Sequence, residues 1–417
     1  MELTLPPVRI AGRIEAIASK SQAHRMLLCA ALADRPTRIA CAELSEDIEA
    51  TVRCLNALSA QVCYAADAFT VHPLDGIADE LMLDCGESGS TLRFLLPIVA
   101  ALGLCADFKL HGRLAQRPLS PLWEELEAHA CTLSRPAPDT VRCEGRLHAG
   151  RFCLPGDVSS QFISGLLFAL PLLPGDSEIV LTSPAQSKGY IALTLHTLAQ
   201  FEITAEETPD GWRIPGGQRY RSPGRLTVEG DWSNAAFWLC AGALSGPVTV
   251  TGLSAASAQG DRQILELLRC FGAHVSRTPE TVTVAPAPLR GCEIDVSDIP
   301  DLAPPLALLG ACAQGQTVLT GAARLRIKES DRLSSISRTL AALGIETHET
   351  ADSLMILGGT LTGGTVSSHN DHRIAMLAAM AACKSTGAVT LRGAEAVKKS
   401  YPRFWQDYRR MTKEEAR

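Results

Sequence analysis

Apolar and polar positions along the chain repeat a single motif. An apolar helix end meets a stop, and two short strands joined by a polar turn follow. The helix ends are Leu55-Asn56-Ala57-Leu58, Leu126-Glu127-Ala128-His129, Leu198-Ala199-Gln200-Phe201, Leu268-Arg269-Cys270-Phe271 and Leu340-Ala341-Ala342-Leu343, about 70 residues apart. Glycine supplies the stop in Gly272-Ala273-His274-Val275 and Gly344-Ile345-Glu346-Thr347, as expected at a helix C-terminus. The turns Thr278-Pro279-Glu280-Thr281 and Glu349-Thr350-Ala351-Asp352 then lead into Val282-Thr283-Val284 and Leu354-Met355-Ile356-Leu357, which predicts hairpins.

A module of this size cannot bury both its faces alone, so neighbours should share cores, three modules to each. Five modules are complete. The segment Tyr401 to Tyr408 is expected to begin a sixth that runs out of sequence, with the N-terminal strand Leu3 to Ile10 completing it. The fold class expected is α/β (α+β) in two domains. Residues 1–19 with 230–417 form a discontinuous domain, residues 20–229 form an inserted one, and the crossings lie near Ser19 and Gly230. The expected place for a ligand is a cleft between such domains.

Composition narrows the function. The 417 residues are 46% hydrophobic and 20% charged, with a net charge of −6, which gives no reason to expect nucleic acid or an anionic membrane as partner. An anionic ligand must then be met by local basic clusters. The fourteen cysteines include no close pair of the kind that holds zinc or exchanges disulfides, and most sit in apolar runs as small hydrophobes. The start Met1-Glu2-Leu3-Thr4-Leu5-Pro6-Pro7 does not read as a secretory leader. The longest apolar run, Phe94 to Ala106, contains Pro97 and Gly103 and is too short to span a bilayer. The expected location is the cytoplasm, and the expected state a monomer.

Candidate chemistry gathers where basic residues, hydroxyls and glycines open apolar helices, because such starts bind anions. The first is Ser19-Lys20-Ser21-Gln22-Ala23-His24-Arg25. The second, Asp84-Cys85-Gly86-Glu87-Ser88-Gly89-Ser90-Thr91-Leu92-Arg93, lacks the spacing of nucleotide-binding glycine loops. The third is Asp157-Val158-Ser159-Ser160-Gln161-Phe162. An N-cap accounts for one of its serines but gives Gln161 no task. Two denser charge clusters follow, Arg326-Ile327-Lys328-Glu329-Ser330-Asp331-Arg332-Leu333 and Asn370-Asp371-His372-Arg373. Caps and exposed ion pairs account for such clusters, and so does a site that holds acids and bases at useful pKa values. Arg117-Pro118-Leu119 and Val397-Lys398-Lys399-Ser400-Tyr401-Pro402 read equally as surface turns.

In this order, from Lys20 to Tyr401, the segments resemble the EPSP synthase family. The resemblance implies an inside-out α/β barrel architecture in two domains, each of three βαβαββ units. It also implies transfer of the enolpyruvyl group of phosphoenolpyruvate to the 5-hydroxyl of shikimate 3-phosphate, with no metal or organic cofactor. By resemblance Lys20 touches both substrates, and Ser21 and Arg25 bind shikimate 3-phosphate. Gly89, Arg93 and Arg117 match the phosphoenolpyruvate pocket. Ser159, Ser160, Gln161, Ser187 and Tyr190 match the shikimate phosphate and ring contacts, with Lys328 a further phosphate contact. Asp301 matches the aspartate facing the attacking hydroxyl, and Glu329 the glutamate beside the methylene carbon. Arg332, Arg373 and Lys399 match cations around phosphoenolpyruvate, with His372 next to that group. The implied catalytic groups are Asp301 as base and Glu329 as acid and then base, with Lys20 as alternative or helper.

Two rival readings remain. The sister family acting on UDP-N-acetylglucosamine has an Asn-x-x-Lys start and a reactive cysteine on a mobile loop. Here Lys20 stands in Ser-Lys-Ser, and the corresponding region around Arg113 to Pro118 has no cysteine. A non-catalytic binder of phosphorylated metabolites predicts scattered charge rather than cations grouped at helix starts.

Overall fold

Helices Trp232–Leu244, Ala303–Cys312 and His372–Ala381 carry too little polar surface to face water, so they must lie inside. In the structure, a computed structural model describing residues 1–76, 78 and 80–412, they pack on one another, and every residue of the first and third is buried. The strands around them alternate instead. Val248–Thr251 and Leu354–Leu357 bury every second residue, the pattern of a sheet with one covered face. Helices inside and sheets outside is what these two patterns require together.

The chain divides into two compact units, Ala18–Val228, and Met1–Ile17 with Glu229–Arg417, each with its own apolar core. Each unit holds three separate sheets among the described residues. The repeated arrangement is one parallel neighbour followed by an antiparallel hairpin. Gly12–Glu15 runs parallel to Val248–Thr251, which pairs antiparallel with Thr281–Ala285 and, through it, His274–Arg277. Sheets centred on Thr37–Ala40, Cys105–Lys109, Ser177–Ser183 and Gln316–Thr320 follow the same order.

The sixth module differs from the sequence expectation. Most of it precedes Tyr401: Gly364–Ser367, helix His372–Ala381 and Val389–Arg392, with Phe404–Thr412 as its second helix. Glu2–Leu5 closes this three-stranded sheet, antiparallel to Val389–Arg392. The stretch Leu3 to Ile10 is not one strand, because Pro6 and Pro7 offer no amide to a ladder; the next strand, Gly12–Glu15, joins a different sheet.

In the unit Ala18–Val228, helices Gly89–Leu102 and Ser160–Ala169 cross in close contact. Gly165 makes this possible, since a methyl there would stand 2.2 Å from the Arg93 carbonyl oxygen. The crossing brings Arg93 within reach of Gln161.

Candidate functional site

In the unit Ala18–Val228 the candidate residues sit at four helix starts, apart from Arg117, which follows the short helix Gly112–Gln116. Ser19, Ser88 and Ser159 cap helices Lys20–Leu32, Gly89–Leu102 and Ser160–Ala169, each accepting a backbone N–H. Ser187, buried and left-handed at φ 57°, precedes Lys188–Gln200. Lys20 Nζ donates to Asp47 Oδ2 at 2.6 Å, both groups about 15% exposed. Arg93 Nη1 donates to Gln161 Oε1 at 2.8 Å and Nη2 to the Pro118 carbonyl, while Gln161 Nε2 donates to Ser90 Oγ at 2.9 Å. A methyl on Gly89 would meet Arg93 Nη1 at 2.8 Å and Arg117 Nη1 at 2.9 Å, so both guanidiniums lie against the bare glycine. Gln161, without a task in the sequence, thus orients Arg93. Ser160 is buried in the first turn of its helix, and Ser21 is half-buried beside Lys20.

Arg25 is only 2% exposed, and neighbouring groups hold its fork. Nε donates to Thr194 Oγ1 at 2.8 Å, Nη1 to the Ser21 carbonyl at 2.7 Å and Nη2 to the Tyr190 carbonyl at 3.1 Å. Burial lowers its pKa to about 10, which leaves it charged at neutral pH. It cross-braces the helices bearing Ser21 and Tyr190.

In the other unit, Arg332 is 1% exposed and divides its nitrogens among three carboxylates: Nε to Asp371 Oδ2 at 2.9 Å, Nη1 to Asp301 Oδ1 at 2.9 Å and Nη2 to Glu329 Oε2 at 2.5 Å. Burial opposes its charge, but Asp371, Glu329 and Asp301 more than offset this and hold its pKa above the ordinary arginine value. Arg373 Nη2 donates to the other Asp301 oxygen at 2.8 Å and to Ser233 Oγ at 3.0 Å. Asp371 is fully buried. It caps its helix through the Arg373 amide and accepts from Ser330. Asp301 and Glu329 are 17% and 22% exposed, so the two candidate proton carriers remain reachable. Lys399 Nζ donates to the Asn370 carbonyl at 2.8 Å, and buried His372 has Nδ1 3.9 Å from Asp371 Oδ1. Burial pushes the Lys328 ammonium down to about 7, against the attraction of Asp301 and with added repulsion from Arg324 and Arg332.

Sequence reading missed Asp47, Ser90 and Ser233. Asp47 lies in an acidic first turn, Glu46 to Glu49, which reads as complement to the helix dipole, and Ser233 sits behind the Asp231 cap. Among the described residues no three or more His, Cys, Asp or Glu side chains group as a metal site, and no helix is long and apolar enough to cross a membrane.

The family model described as EPSP synthase (3-phosphoshikimate 1-carboxyvinyltransferase) matches residues 5–408. The 3-phosphoshikimate 1-carboxyvinyltransferase of Clostridium kluyveri is 40% identical over 413 residues, covering 98% of this chain and 96% of that protein. The protein of the same name from Clostridium acetobutylicum is 39% identical, covering 97% and 96%. The solved EPSP synthase of Acinetobacter baumannii superposes with a TM-score of 0.82 at 25% identity, covering 99% of this chain and 98% of that one.

Proposed function

The chain belongs to the EPSP synthase family, and from that membership we propose that it moves the enolpyruvyl group of phosphoenolpyruvate onto the 5-hydroxyl of shikimate 3-phosphate, with Asp301 and Glu329 carrying the protons. The observation supporting these roles is the Arg332 fork, which fixes both carboxylates while leaving them reachable. In the first step Asp301 takes the 5-hydroxyl proton as that oxygen bonds to C2, and Glu329, or Lys20 in its place, delivers a proton to C3. In the second step the C2–O bond to phosphate breaks, inorganic phosphate leaves, and the C3 proton returns to Glu329. The first step adds the hydroxyl oxygen and a proton across the C2–C3 double bond and the second removes phosphate and a proton; no electron is transferred to or from an outside group, so the scheme calls for no metal or organic cofactor.

Phosphoenolpyruvate falls to Lys20, which meets both substrates, and to Arg93 and Arg117 against Gly89, with Arg332, Arg373, Lys399 and His372. Shikimate 3-phosphate falls to Lys20, Ser21, Ser159, Ser160, Gln161, Ser187, Tyr190 and Lys328. Arg25, which also braces the helices of Ser21 and Tyr190, belongs to the shikimate 3-phosphate set as well, since a guanidinium has five N–H groups to give. The free cysteines favour a reducing compartment, the cytoplasm. The deciding experiment is phosphate release from phosphoenolpyruvate with shikimate 3-phosphate and, in parallel, with UDP-N-acetylglucosamine. Release with the first alone is expected, whereas release with the sugar nucleotide or with neither overturns the proposal.

Gly89→Ala should raise KM for phosphoenolpyruvate roughly tenfold, about 1.4 kcal/mol, with thermal stability unchanged. The added methyl displaces two flexible arginine ends and no backbone, so an unchanged KM would remove Gly89 from the pocket.

Lys328 gives a pH signature. With its pKa near 7, the free protein loses this cation as pH rises, so kcat/KM for shikimate 3-phosphate should fall above pH 7, approaching tenfold per unit. Lys328→Arg should move the break upward. Stability runs the other way: the unfolded chain binds this proton more tightly, so the contribution of Lys328 to stability grows as pH rises from about 7 toward the ordinary lysine value. Kinetic profiles and denaturant unfolding across pH 6–9 check both signs.

A further inference from the structure

Three helices of the unit Ala18–Val228 are linked by a hydrogen-bond chain through side chains that the proposed chemistry does not use. His24 Nδ1 lies 2.7 Å from Thr51 Oγ1, Thr51 Oγ1 lies 2.7 Å from Thr91 Oγ1, and Thr91 Oγ1 donates to Ser88 Oγ at 2.7 Å. All four residues are at most 1% exposed. Ser88 Oγ also accepts the Thr91 amide and thereby caps the helix that begins at Gly89.

Counting protons orders the whole chain, because each hydroxyl has one to give. Thr91 gives its own to Ser88, so Thr51 must donate to Thr91, and with that proton spent Thr51 can only accept from His24. His24 therefore carries its proton on Nδ1. Its Nε2 is a lone pair, buried and without a hydrogen-bond partner among the described residues. Burial first, then Lys20 and Arg25, hold the ring pKa well below its usual value, in keeping with a single ring proton.

The spacing links this chain to the candidate site. Lys20 and His24 are one turn apart on one helix, and Asp47 and Thr51 one turn apart on the next, so Lys20–Asp47 and His24–Thr51 are successive rungs between the same two helices. Thr91 carries the second rung on to the Gly89 helix start. We propose that His24, through Thr51, Thr91 and Ser88, is a positioning residue that sets Lys20 relative to the glycine turn holding Arg93 and Arg117. The proposal rests on the assignment of phosphoenolpyruvate to that turn.

Two measurements test it. In the wild-type protein, nitrogen-15 spectra of labelled histidine should show His24 as the Nδ1–H tautomer, and an Nε2–H tautomer overturns the proton order whether or not any variant folds. Thr51→Val keeps the shape but neither donates nor accepts. It should raise KM for phosphoenolpyruvate about three- to tenfold, with kcat within about twofold, the effect on placement of losing the two hydrogen bonds of Thr51, to His24 and to Thr91. Thr51→Ser, which keeps the hydroxyl, should restore the wild-type KM. An unchanged KM in Thr51→Val, or a serine variant as impaired as the valine one, overturns the proposal. Wild-type protein that releases no phosphate with shikimate 3-phosphate instead overturns the substrate assignment, which the tautomer measurement does not depend on.

Discussion

Arg332→Met should lower the stability of the unit formed by Met1–Ile17 and Glu229–Arg417 by about 3–5 kcal/mol and abolish phosphate release. The stability loss arises because removing the guanidinium leaves Asp371 charged at zero exposure, with Asp301 and Glu329 also losing their shared donor. For a unit of this size the melting point should fall by about 10 °C. Arg332→Lys should recover little, since one ammonium cannot present three nitrogens in fixed directions to three carboxylates. The double variant Arg332→Met, Asp371→Asn separates the two losses. It removes the buried uncompensated charge, so much of the stability should return while activity stays absent. Calorimetry alongside the phosphate assay reads both. Full activity in Arg332→Met would show that the fork does not organise the reacting groups.

The same residues show how far sequence carries. Hydroxyl-rich helix starts were recognisable because capping is local, but which hydroxyl caps was not; the structure gives the amides to Ser19, Ser88 and Ser159. The dense charge around Glu329 and Asp371 was open to two readings, caps or site. In the structure Asp371 caps its helix and also pairs with a buried cation, with one oxygen on the Arg373 amide and the other on the Arg332 guanidinium. What sequence could not show is which charges meet, because Arg332 reaches partners 31 and 39 residues away and Arg25 reaches Thr194 across 169. Arg25 is instructive. Basic residues at a helix start suggest a ligand, and only packing reveals that neighbouring carbonyls and hydroxyls also hold this fork in place. For the sixth module the sequence showed the closing strand from the N-terminus, and Glu2–Leu5 does pair with Val389–Arg392, but it placed the beginning too late, since Gly364–Ser367 and Val389–Arg392 precede Tyr401.

Glu329→Gln tests the chemistry with little disturbance of the structure. Glutamine keeps the length of the side chain and an oxygen for Arg332 Nη2, and position 329 is open enough to spare a core penalty. Binding of both substrates should therefore stay within about threefold. What glutamine cannot do is give a proton to C3 and take it back, and a positioned acid–base group contributes about 10²–10⁴-fold to rate. The expected result is a kcat lowered by that factor with KM values nearly unchanged. A second readout assigns the loss to the C3 proton. In deuterated water the wild-type protein should introduce deuterium into the methylene group of product and recovered phosphoenolpyruvate, because the tetrahedral adduct carries a methyl group whose hydrogens become equivalent before one is removed. The variant should lose this exchange in parallel with turnover. If Glu329→Gln exchanged and turned over at wild-type rates, the proton would have to travel through another group, and Lys20 would be the next to replace.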